Sequence, residues 1–311
     1  MEPGKTADKI MAAPEHRHVR RSGREDHPQF KAAFKSRPSS CAAATRERTT
    51  APSEAKERGM TSLQDRVALV TGSSRGIGAA IATLFANEGA RVVVHGRDTG
   101  AVELVRSQIE ATGGQVISFI ADLTRYREIE AMREEIEHVH GPVDILVANA
   151  GGSPSRPAPL EQISEEDWRA AVDANLTATF LTIKCFLTGM KERGHGNVIT
   201  ISSAAARRPH PGSPIAYAAA KAGIELLTKD TAAQAGPNGI RVNCIAPETI
   251  MTETNKQQIP EQVQESLREN HPIRRLGTPE DVAKAALFLA SDSSAWISGI
   301  VVDVAGGSVL V

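Results

Sequence analysis

The stretch Val67-Ala-Leu-Val-Thr-Gly-Ser-Ser-Arg-Gly-Ile-Gly78 decides the fold of this chain. It begins with a short apolar run rich in valine, which indicates a buried strand. Apolar residues then recur at helical spacing from Ile77 to Phe85, and Gly89 ends the predicted helix. A glycine-rich turn between a strand and a helix lets backbone N–H groups approach an anion such as a diphosphate. The spacing, G-x-x-x-G-x-G, differs from the G-x-G-x-x-G fingerprint, so the strand-turn-helix context carries the prediction.

Three glycines of this turn have separate predicted roles. Gly72 permits a tight turn, whereas Gly76 and Gly78 permit close approach to a diphosphate and close packing of the helix. The alternative is that this stretch is an ordinary loop.

The same alternation of apolar runs and helical patterns continues along the chain. Strands are predicted at 67–70, 91–94, 116–120, 143–147, 197–201, 240–244 and 300–303. Helices are predicted after the glycine turn, at 98–112, 125–139, 164–190, 214–235 and 254–270, and from Pro279. Continuous apolar strands joined by helices predict one α/β domain over residues 61–311, a doubly wound parallel sheet with helices on both faces.

Ligands of such sheets bind beyond the carboxyl ends of the strands, at the point where the strand order reverses. The candidate functional residues follow predicted strands in this way, namely Gly72, Arg97, Asp122, Asn149, Ser203 and Pro247. Their common position is the main physical argument for a site.

The composition is ordinary for a globular protein, with 41% apolar and 23% charged residues in 311. Charge is uneven, because residues 1–59 hold 13 Lys and Arg against 8 Asp and Glu, whereas the remainder holds 23 against 29. Residues 1–60 lack apolar periodicity and are predicted to be a disordered basic extension, with Met60 as an alternative start. The acidic body argues against a nucleic-acid partner.

The three cysteines, Cys41, Cys185 and Cys244, are far apart and show no metal-ligand spacing. We therefore expect no metal site and no disulfide framework, and a reducing cytoplasm is the predicted location. No run of about 18 apolar residues occurs, so no membrane span is expected.

Tyr217 and Lys221 are four residues apart in an Ala-rich run that predicts a helix, so they share one helical face. A cation about 4 Å from a phenol, at an effective dielectric of about 20, favours the phenolate by about 4 kcal/mol. That would lower the tyrosine pKa by up to about three units and give a usable acid or base near pH 7. Alone, the pair is a weak signal, because a tyrosine and a lysine at this spacing are more often a surface tyrosine packed on a lysine stem.

Taken together, several motifs resemble those of the classical short-chain dehydrogenase/reductase family over about 63–311. They are Thr71–Gly78, Asn149-Ala-Gly151, Asn175, Ser203, Tyr217, Lys221, Asn243 to Pro247, Gly277 to Asp281, and Gly306-Gly307. Departures from the family pattern are Ala148 in place of the more usual Asn, Glu248 in place of Gly, and Ala305 in place of Asp or Asn. The resemblance implies a Rossmann-type fold and hydride transfer with a nicotinamide cofactor.

By resemblance, four residues are expected to be catalytic. Tyr217 exchanges a proton with the substrate oxygen, and Lys221 lowers the tyrosine pKa and holds the nicotinamide ribose. Ser203 hydrogen-bonds the substrate oxygen, and Asn175 holds a water that links Lys221 to solvent. Ser203 has two alternatives: a cap at the strand end, and a one-residue shift that would give the role to Ser202.

The resemblance also implies a set of cofactor contacts, with Asp122 and Leu123 at the adenine and Pro247, Ile250 and Thr252 near the nicotinamide. The full set is Gly72, Ser74, Arg75, Gly76, Ile77, Gly78, Arg97, Asp122, Leu123, Asn149, Gly151, Tyr217, Lys221, Pro247, Ile250 and Thr252.

NADP(H) is predicted over NAD(H). NAD sites carry an acid after the second strand, and here Gly96 stands in that position. Arg75 and Arg97 are placed to bind a 2′-phosphate, although Asp98 weakens the argument and each arginine is alternatively a solvated surface charge.

The substrate is expected between the loops 152–160 and 204–214 and a lid at about 248–272. Arg207, Arg208 and His210 in the second loop are candidates for contacts with an acidic substrate such as an acyl carrier protein, or are solvated charges. The leading prediction is NADPH-dependent reduction of a ketone or 3-oxoacyl thioester. The alternatives are oxidation of a sugar or other secondary alcohol and, from another class, a cofactor-binding scaffold without turnover. The resemblance implies a homo-tetramer or homo-dimer through the 164–190 and Tyr217 helices.

Overall fold

A computed structural model describes residues 62–310, except Pro154 and Pro211. The prediction of a disordered extension over 1–60, with Met60 as an alternative start, lies outside the described residues. The strands are β1 (Val67–Val70), β2 (Arg91–Gly96), β3 (Gln115–Ile120), β4 (Ile145–Ala148), β5 (Gly196–Ile201), β6 (Ile240–Pro247) and β7 (Val301–Val304). The helices are α1 (Gly76–Asn87), α2 (Thr99–Ala111), α3 (Tyr126–Val139), α4 (Glu165–Val172), α5 (Ala178–Arg193), α6 (Ile215–Ala235), α7 (Glu253–Gln258), α8 (Glu261–Asn270) and α9 (Pro279–Ala290).

The seven strands form one parallel sheet in the order β3-β2-β1-β4-β5-β6-β7. The strand order therefore reverses between β1 and β4. These two strands pair directly, with Ala68 opposite Ile145 and Val70 opposite Val147. This is the topology of a Rossmann-type sheet, and it confirms the predicted fold class. The switch point puts the carboxyl ends of β1 and β4 side by side.

Both faces of the sheet are covered, because β1, β4 and β5 are buried along their whole length. On one face, Phe85 of α1 and Leu289 of α9 pack in a single apolar cluster with the strands. On the other face, Ile136 of α3 and Met190 of α5 pack in a second cluster. Full burial of one such side chain stabilises the fold by about 1.5–3 kcal/mol.

The predicted helix 164–190 is longer and less regular than expected. It runs from Glu165 to Arg193 with a π-helical turn, Asp173–Thr177, between α4 and α5, and ends at Gly194 in the left-handed region. By length and composition alone it could cross a membrane. Its buried residues, among them Ile183, pack against the sheet and α3, so the core accounts for its apolar character.

The predicted helix 254–270 is two helices, because Pro260 separates α7 from α8. Proline disfavours helical backbone in the residue before it, and Ile259 is extended accordingly. Thr252 begins α7, its hydroxyl accepting a hydrogen bond from the Asn255 amide at 3.2 Å. The segment after β6 therefore consists of two short helices, the first of which is capped by Thr252.

Candidate active site

The glycine turn after β1 requires glycine on geometric grounds. Gly72 and Gly76 have φ of +63° and +56°, a region that other residues rarely adopt. A Cβ on Gly72 would lie 2.7 Å from the Ala150 Cα, and one on Gly78 would lie 2.3 Å from the Gly72 carbonyl oxygen. The start of α1 therefore packs directly on the turn, with no acidic side chain in its first turn. This leaves N–H groups at the helix N-terminus for an anion.

Asn149 fixes the turn to the end of β4. Its Nδ2 donates to the Thr71 and Gly72 carbonyl oxygens at 2.9 and 3.0 Å, and its own amide donates to Thr71 Oγ1 at 3.0 Å. The predicted cofactor residue Asn149 thus holds the ends of the two strands together at the switch point.

His95, at the end of β2, is a site residue whose role the sequence did not reveal. It is buried, its Nδ1 accepts from the Gly72 amide at 3.1 Å, and its Nε2 therefore donates to the Ala121 carbonyl at 3.1 Å. Burial lowers the pKa of His95 to about 4, and the nearby charge of Arg97 acts in the same direction. A neutral histidine therefore links the glycine turn to the end of β3.

A cleft of about 770 Å³ opens over the carboxyl ends of these strands. It is lined by several of the predicted cofactor residues, namely Gly72, Ser74, Arg75, Arg97, Asp122, Leu123 and Gly151. The Asp122 carboxylate accepts from the Thr124 amide and hydroxyl, and these hydrogen bonds lower its pKa. The volume, the glycine turn and the basic rim together fit a dinucleotide.

The rim also contains an exposed ion pair between Arg75 and Asp98, at 3.3 Å. Asp98 in addition caps α2 by accepting from the Ala101 amide. Gly96 has no room for a side chain, since a Cβ would lie 2.7 Å from Val102 Cγ2 and 3.0 Å from Ser74 Cβ. An acid at position 96 would therefore require the Val102 and Ser74 side chains to shift.

Tyr217 and Lys221 share one face of α6, as predicted. The Lys221 Nζ is buried, donates to the Ile201 carbonyl at 2.8 Å and lies 5.6 Å from the Tyr217 ring centroid. Burial lowers the pKa of Lys221 to about 8. Burial also raises the pKa of Tyr217, with a hydrogen bond from Ser203 opposing the rise. Desolvation disfavours the charged phenolate, so the net direction is upward. The lowering of the tyrosine pKa by Lys221 stays a prediction.

The two serines after β5 point to different partners. The hydroxyl of Ser203 interacts with the Tyr217 phenol and accepts from the Ala205 amide at 3.2 Å. Ser202 is buried, and its hydroxyl donates to Glu225 at 2.9 Å with the Lys221 carbonyl also at 3.1 Å. Ser203 thus has both the cap contact and the contact with tyrosine, whereas Ser202 is turned inward.

Asn175 lies in the π-helical turn and is fully buried. Its Nδ2 donates to the Gly152 and Ala171 carbonyls at 2.8 Å each, and its Oδ1 accepts from the Gly152 amide at 3.1 Å. A Cβ placed on Gly151 would lie 2.5 Å from Asn175 Oδ1 and 3.4 Å from Lys221 Nζ, so the amide and the ammonium both border Gly151. π-Helical turns occur frequently at functional sites.

The helix with Tyr217 packs closely on this turn. A Cβ added to Gly223 of α6 would lie 2.8 Å from the Leu176 side chain. Glycine at 223 thereby lets α6 approach the turn that carries Asn175.

Other predicted cofactor residues lie near the glycine turn or in the core. Thr252 Cγ2 would lie 3.0 Å from a Cβ on Gly76, so the lid contacts the turn. Pro247 is buried at the end of β6, and Ile77 packs partly buried against the core. Ile250 is 3% exposed and packs in the core. Its place at the border of the nicotinamide stays a prediction.

The basic residues of the 204–214 loop are paired with acids. Arg207 donates to Glu225 and Asp303, at 2.8 and 3.0 Å, and is only 17% exposed. Arg208 and His210 lie 3.9 and 3.6 Å from Glu248, the acid that stands where glycine is usual. The loop therefore offers little uncompensated positive charge. Among the described residues, no group of three or more His, Cys, Asp or Glu is arranged to hold a metal.

Comparison with known proteins agrees with this geometry. The sequence profile of a family described as enoyl-(acyl carrier protein) reductase matches residues 72–308. The chain is 37% identical to the (2S)-[(R)-hydroxy(phenyl)methyl]succinyl-CoA dehydrogenase subunit BbsD of Thauera aromatica, over 79% of this chain and 97% of the relative. It is 36% identical to 7alpha-hydroxysteroid dehydrogenase of Escherichia coli K12, over 79% and 95%.

A solved structure of a 3-oxoacyl-[acyl-carrier protein] reductase from Brucella melitensis, with bound NAD, is also similar. It has a TM-score of 0.75 and 34% identity, with 81% of this chain and 94% of the other covered. The chain belongs to the short-chain dehydrogenase/reductase family. It is therefore an oxidoreductase that acts on CH–OH or C=O groups and uses a nicotinamide cofactor.

Proposed function

We propose that this dehydrogenase/reductase reduces a ketone or 3-oxoacyl thioester with NADPH. The observation that supports it is the interaction of the Ser203 hydroxyl with the Tyr217 phenol beside the ammonium of Lys221, which places a proton donor and a hydrogen-bond donor together for one substrate oxygen. Reduction is the proposed direction because the similar protein from Brucella melitensis is named as a reductase.

In the proposed reaction, the Tyr217 hydroxyl donates its proton to the substrate oxygen, and Ser203 donates a hydrogen bond to the same atom as negative charge develops. The nicotinamide supplies the hydride when it is bound. Lys221 and Asn149 help to hold the cofactor, and Asn175 holds a water beside Lys221. A proton from solvent, passed by way of that water and Lys221, would replace the proton that Tyr217 has lost.

NADP(H) is proposed over NAD(H) because of the charges around the cleft. Gly96 stands where an acid would bind a ribose 2′-hydroxyl, and Arg97 and Arg75 lie on the rim. The Arg75–Asp98 pair is exposed on both sides, so it is worth about 0–1 kcal/mol and is easily exchanged for a phosphate. The Brucella melitensis relative binds NAD in its structure, so the preference must be measured.

Thioesters are the leading substrate class because two of the similar proteins are named for succinyl-CoA and 3-oxoacyl-carrier substrates. A secondary alcohol is the second candidate, supported by the similarity to a hydroxysteroid dehydrogenase and by the paired charges of the 204–214 loop. An acidic carrier protein would find few free cations in that loop.

A substrate screen tests the proposal. The purified protein is assayed by nicotinamide absorbance with NADPH against 3-oxoacyl thioesters and simple ketones, and with NADP⁺ against secondary alcohols. Consumption of NADPH with a 3-oxoacyl thioester, absent in Tyr217→Phe, supports it. Turnover with alcohols only would favour the second candidate, and no turnover with any substrate despite NADPH binding would sink both.

We also propose a homo-tetramer or homo-dimer that forms through α5 and α6, in the cytoplasm. Phe180 of α5 and Leu226 of α6 are 46% and 61% exposed, and exposed apolar residues of this size are typical of interfaces. Cys185 and Cys244 are free and buried, which suits a reducing compartment. Light scattering after size exclusion, on the protein and on Phe180→Asp, measures the assembly.

A further inference from the structure

A buried charge network lies behind the candidate catalytic residues. Arg207 Nη1 donates to Glu225 Oε2 at 2.8 Å, and its Nε and Nη2 donate to the two carboxylate oxygens of Asp303 at 3.0 and 3.4 Å. The exposed side-chain fractions are 17% for Arg207, 9% for Glu225 and 21% for Asp303. The guanidinium fork is thus held on both sides, the geometry that makes arginine specific for carboxylates.

The network joins the elements that carry the candidate catalytic groups. Glu225 lies on α6, one turn beyond Lys221 and about 12 Å along the helix axis from Tyr217. Its second oxygen accepts from Ser202, the residue before Ser203. Arg207 directly follows the short turn Ala204–Ala206 that Ser203 caps. Through Arg207 and Glu225, the segment after β5 is therefore tied to the helix that carries the phenol.

The charges of this network and of Lys221 act on the same buried group. Cys244 of β6 responds to both: burial first raises its pKa, to about 11, and the Glu225 carboxylate adds to that rise whereas Lys221 opposes it. Burial acts to lower the pKa of Arg207, but the hydrogen bonds and charges of Asp303 and Glu225 outweigh it, so its pKa is raised. Arg207 therefore stays a cation and compensates the Glu225 charge.

We propose that Arg207, Glu225 and Asp303 are positioning residues that hold Ser203 against Tyr217 and balance the charge behind Lys221. This inference rests on the proposed role of Tyr217 as proton donor. The ionisable groups near Glu225 are Arg207 from the loop, Cys244 from β6 and, through Arg207, Asp303 from β7. Cys244 in turn senses the charge of Lys221.

The direction in which each charge of the network shifts the ionisation of Tyr217 can be measured without turnover. Loss of the Arg207 cation leaves Glu225 uncompensated, so the midpoint of Tyr217 ionisation rises. Loss of the Glu225 anion leaves a net positive change, so the midpoint falls. At about 12 Å and an effective dielectric of about 20, loss of the Glu225 charge shifts the midpoint by about half to one pH unit. We expect loss of the Arg207 charge to shift it in the opposite direction. Removal of both charges returns the midpoint to its original value.

The experiment is an ultraviolet difference titration of tyrosinate in the cofactor-free protein, with circular dichroism at each pH to verify folding. The chain has two tyrosines, so a Tyr126→Phe background reports Tyr217 alone. In that background we expect the midpoint of Tyr217 ionisation to be lower than in the parent for Glu225→Gln and higher for Arg207→Gln. The double variant should have the parent midpoint. Arg169→Gln, which removes an exposed surface pair with Glu165, is the control and should not shift it.

Arg207→Lys keeps the charge but loses the fork. Arg207→Lys should keep the parent midpoint and lower kcat. If Arg207→Gln does not fold, Arg207→Lys and Glu225→Gln together still test the inference. Equal midpoints in all folded variants, or shifts of the same sign in both single variants, would overturn the inference. Because the titration requires no substrate, that result is separate from a failure of the proposed reaction.

Discussion

His95 Nδ1 accepts a hydrogen bond from the Gly72 amide at 3.1 Å, while the other ring nitrogen bonds to Ala121. The bond from the Gly72 N–H requires an unprotonated Nδ1, so the folded protein holds this histidine neutral. The pKa of His95 is about 4 here, against 6.5 for an ordinary histidine, mainly because of burial. This gives the glycine turn a pH dependence.

We expect His95 to make the fold less stable in acid. The folded-state pKa lies below the unfolded one, so the unfolded chain binds more protons between them. The contribution is complete above about pH 6.5 and is lost as the pH falls towards 4, by about 2–4 kcal/mol in total. Urea unfolding at a series of pH values measures it. His95→Gln should flatten the slope in this window, and the exposed His138→Gln should not; an unchanged slope in His95→Gln would refute the assignment.

Tyr217→Phe should abolish most of the activity and weaken NADPH binding far less, since Tyr217 is one of many expected cofactor contacts. A phenylalanine keeps the ring in place but has no proton to donate, so kcat should fall by about 10²–10⁴-fold. Turnover and NADPH fluorescence titration measure the two effects. Tyr126→Phe, which removes the hydroxyl from the tyrosine beneath Lys184, is the matched control and should retain full turnover. Full activity of Tyr217→Phe would end the proposed mechanism.

Arg97→Ala should reduce the preference for NADPH. Removing one charge-assisted contact to a 2′-phosphate costs about 1.5–3 kcal/mol, so the affinity for NADPH should fall at least about 10-fold while that for NADH is unchanged. The dissociation constants follow from fluorescence titration. Arg127→Ala, at another exposed arginine, should change neither value. If the unmodified protein binds NADH more tightly than NADPH, the proposed preference is wrong.

Gly78→Ala should damage the cofactor turn. The new methyl group would lie 2.3 Å from the Gly72 carbonyl oxygen and 2.6 Å from Asn149 Nδ2. We expect a loss of stability of about 1–3 kcal/mol and a clear loss of NADPH affinity. Gly100→Ala is the contrast, because its Cβ would meet nothing closer than 3.6 Å and helical alanine is favoured by about 0.5–1 kcal/mol. Thermal unfolding should therefore move in opposite directions for the two variants.

Glu248→Gln should improve the use of anionic substrates. The carboxylate lies 3.9 Å from Arg208 and 3.6 Å from His210, so its loss frees positive charge in the 204–214 loop. The KM for a CoA thioester should fall by roughly two- to fivefold, while the KM for an uncharged ketone stays constant. Glu253→Gln, at an exposed lid acid, is the control. Equal changes for both substrates would show that Glu248 does not act through charge.

The sequence was sufficient where the chemistry is local or repeats along one element. Buried parallel strands are continuous apolar runs, which is why β1 was predicted to its last residue. Tyr217 and Lys221 share a helical face by spacing alone. The glycine turn was visible because a strand and a helix flank it.

Long-range contacts were not predictable in the same way. Arg207 meets Glu225 and Asp303 across 18 and 96 residues, and no spacing encodes that approach. The role of His95 depends on the register of three strands. The only available signals were a charged residue inside each of two apolar patterns, Glu225 in α6 and Asp303 in β7. Tyr217's raised pKa likewise depends on burial, which only the folded chain defines.

The close approach of Gly223 to Leu176 has a mechanical consequence. Helix α6 and the π-helical turn meet without an intervening side chain from Gly223, so Tyr217, Lys221 and Asn175 belong to one stiff block. Deformation on ligand entry would then fall on the peripheral segments, such as the hinge at Pro260 between α7 and α8. Exchange of those segments between relatives would change which substrates enter the site and leave Tyr217, Lys221 and Asn175 in place.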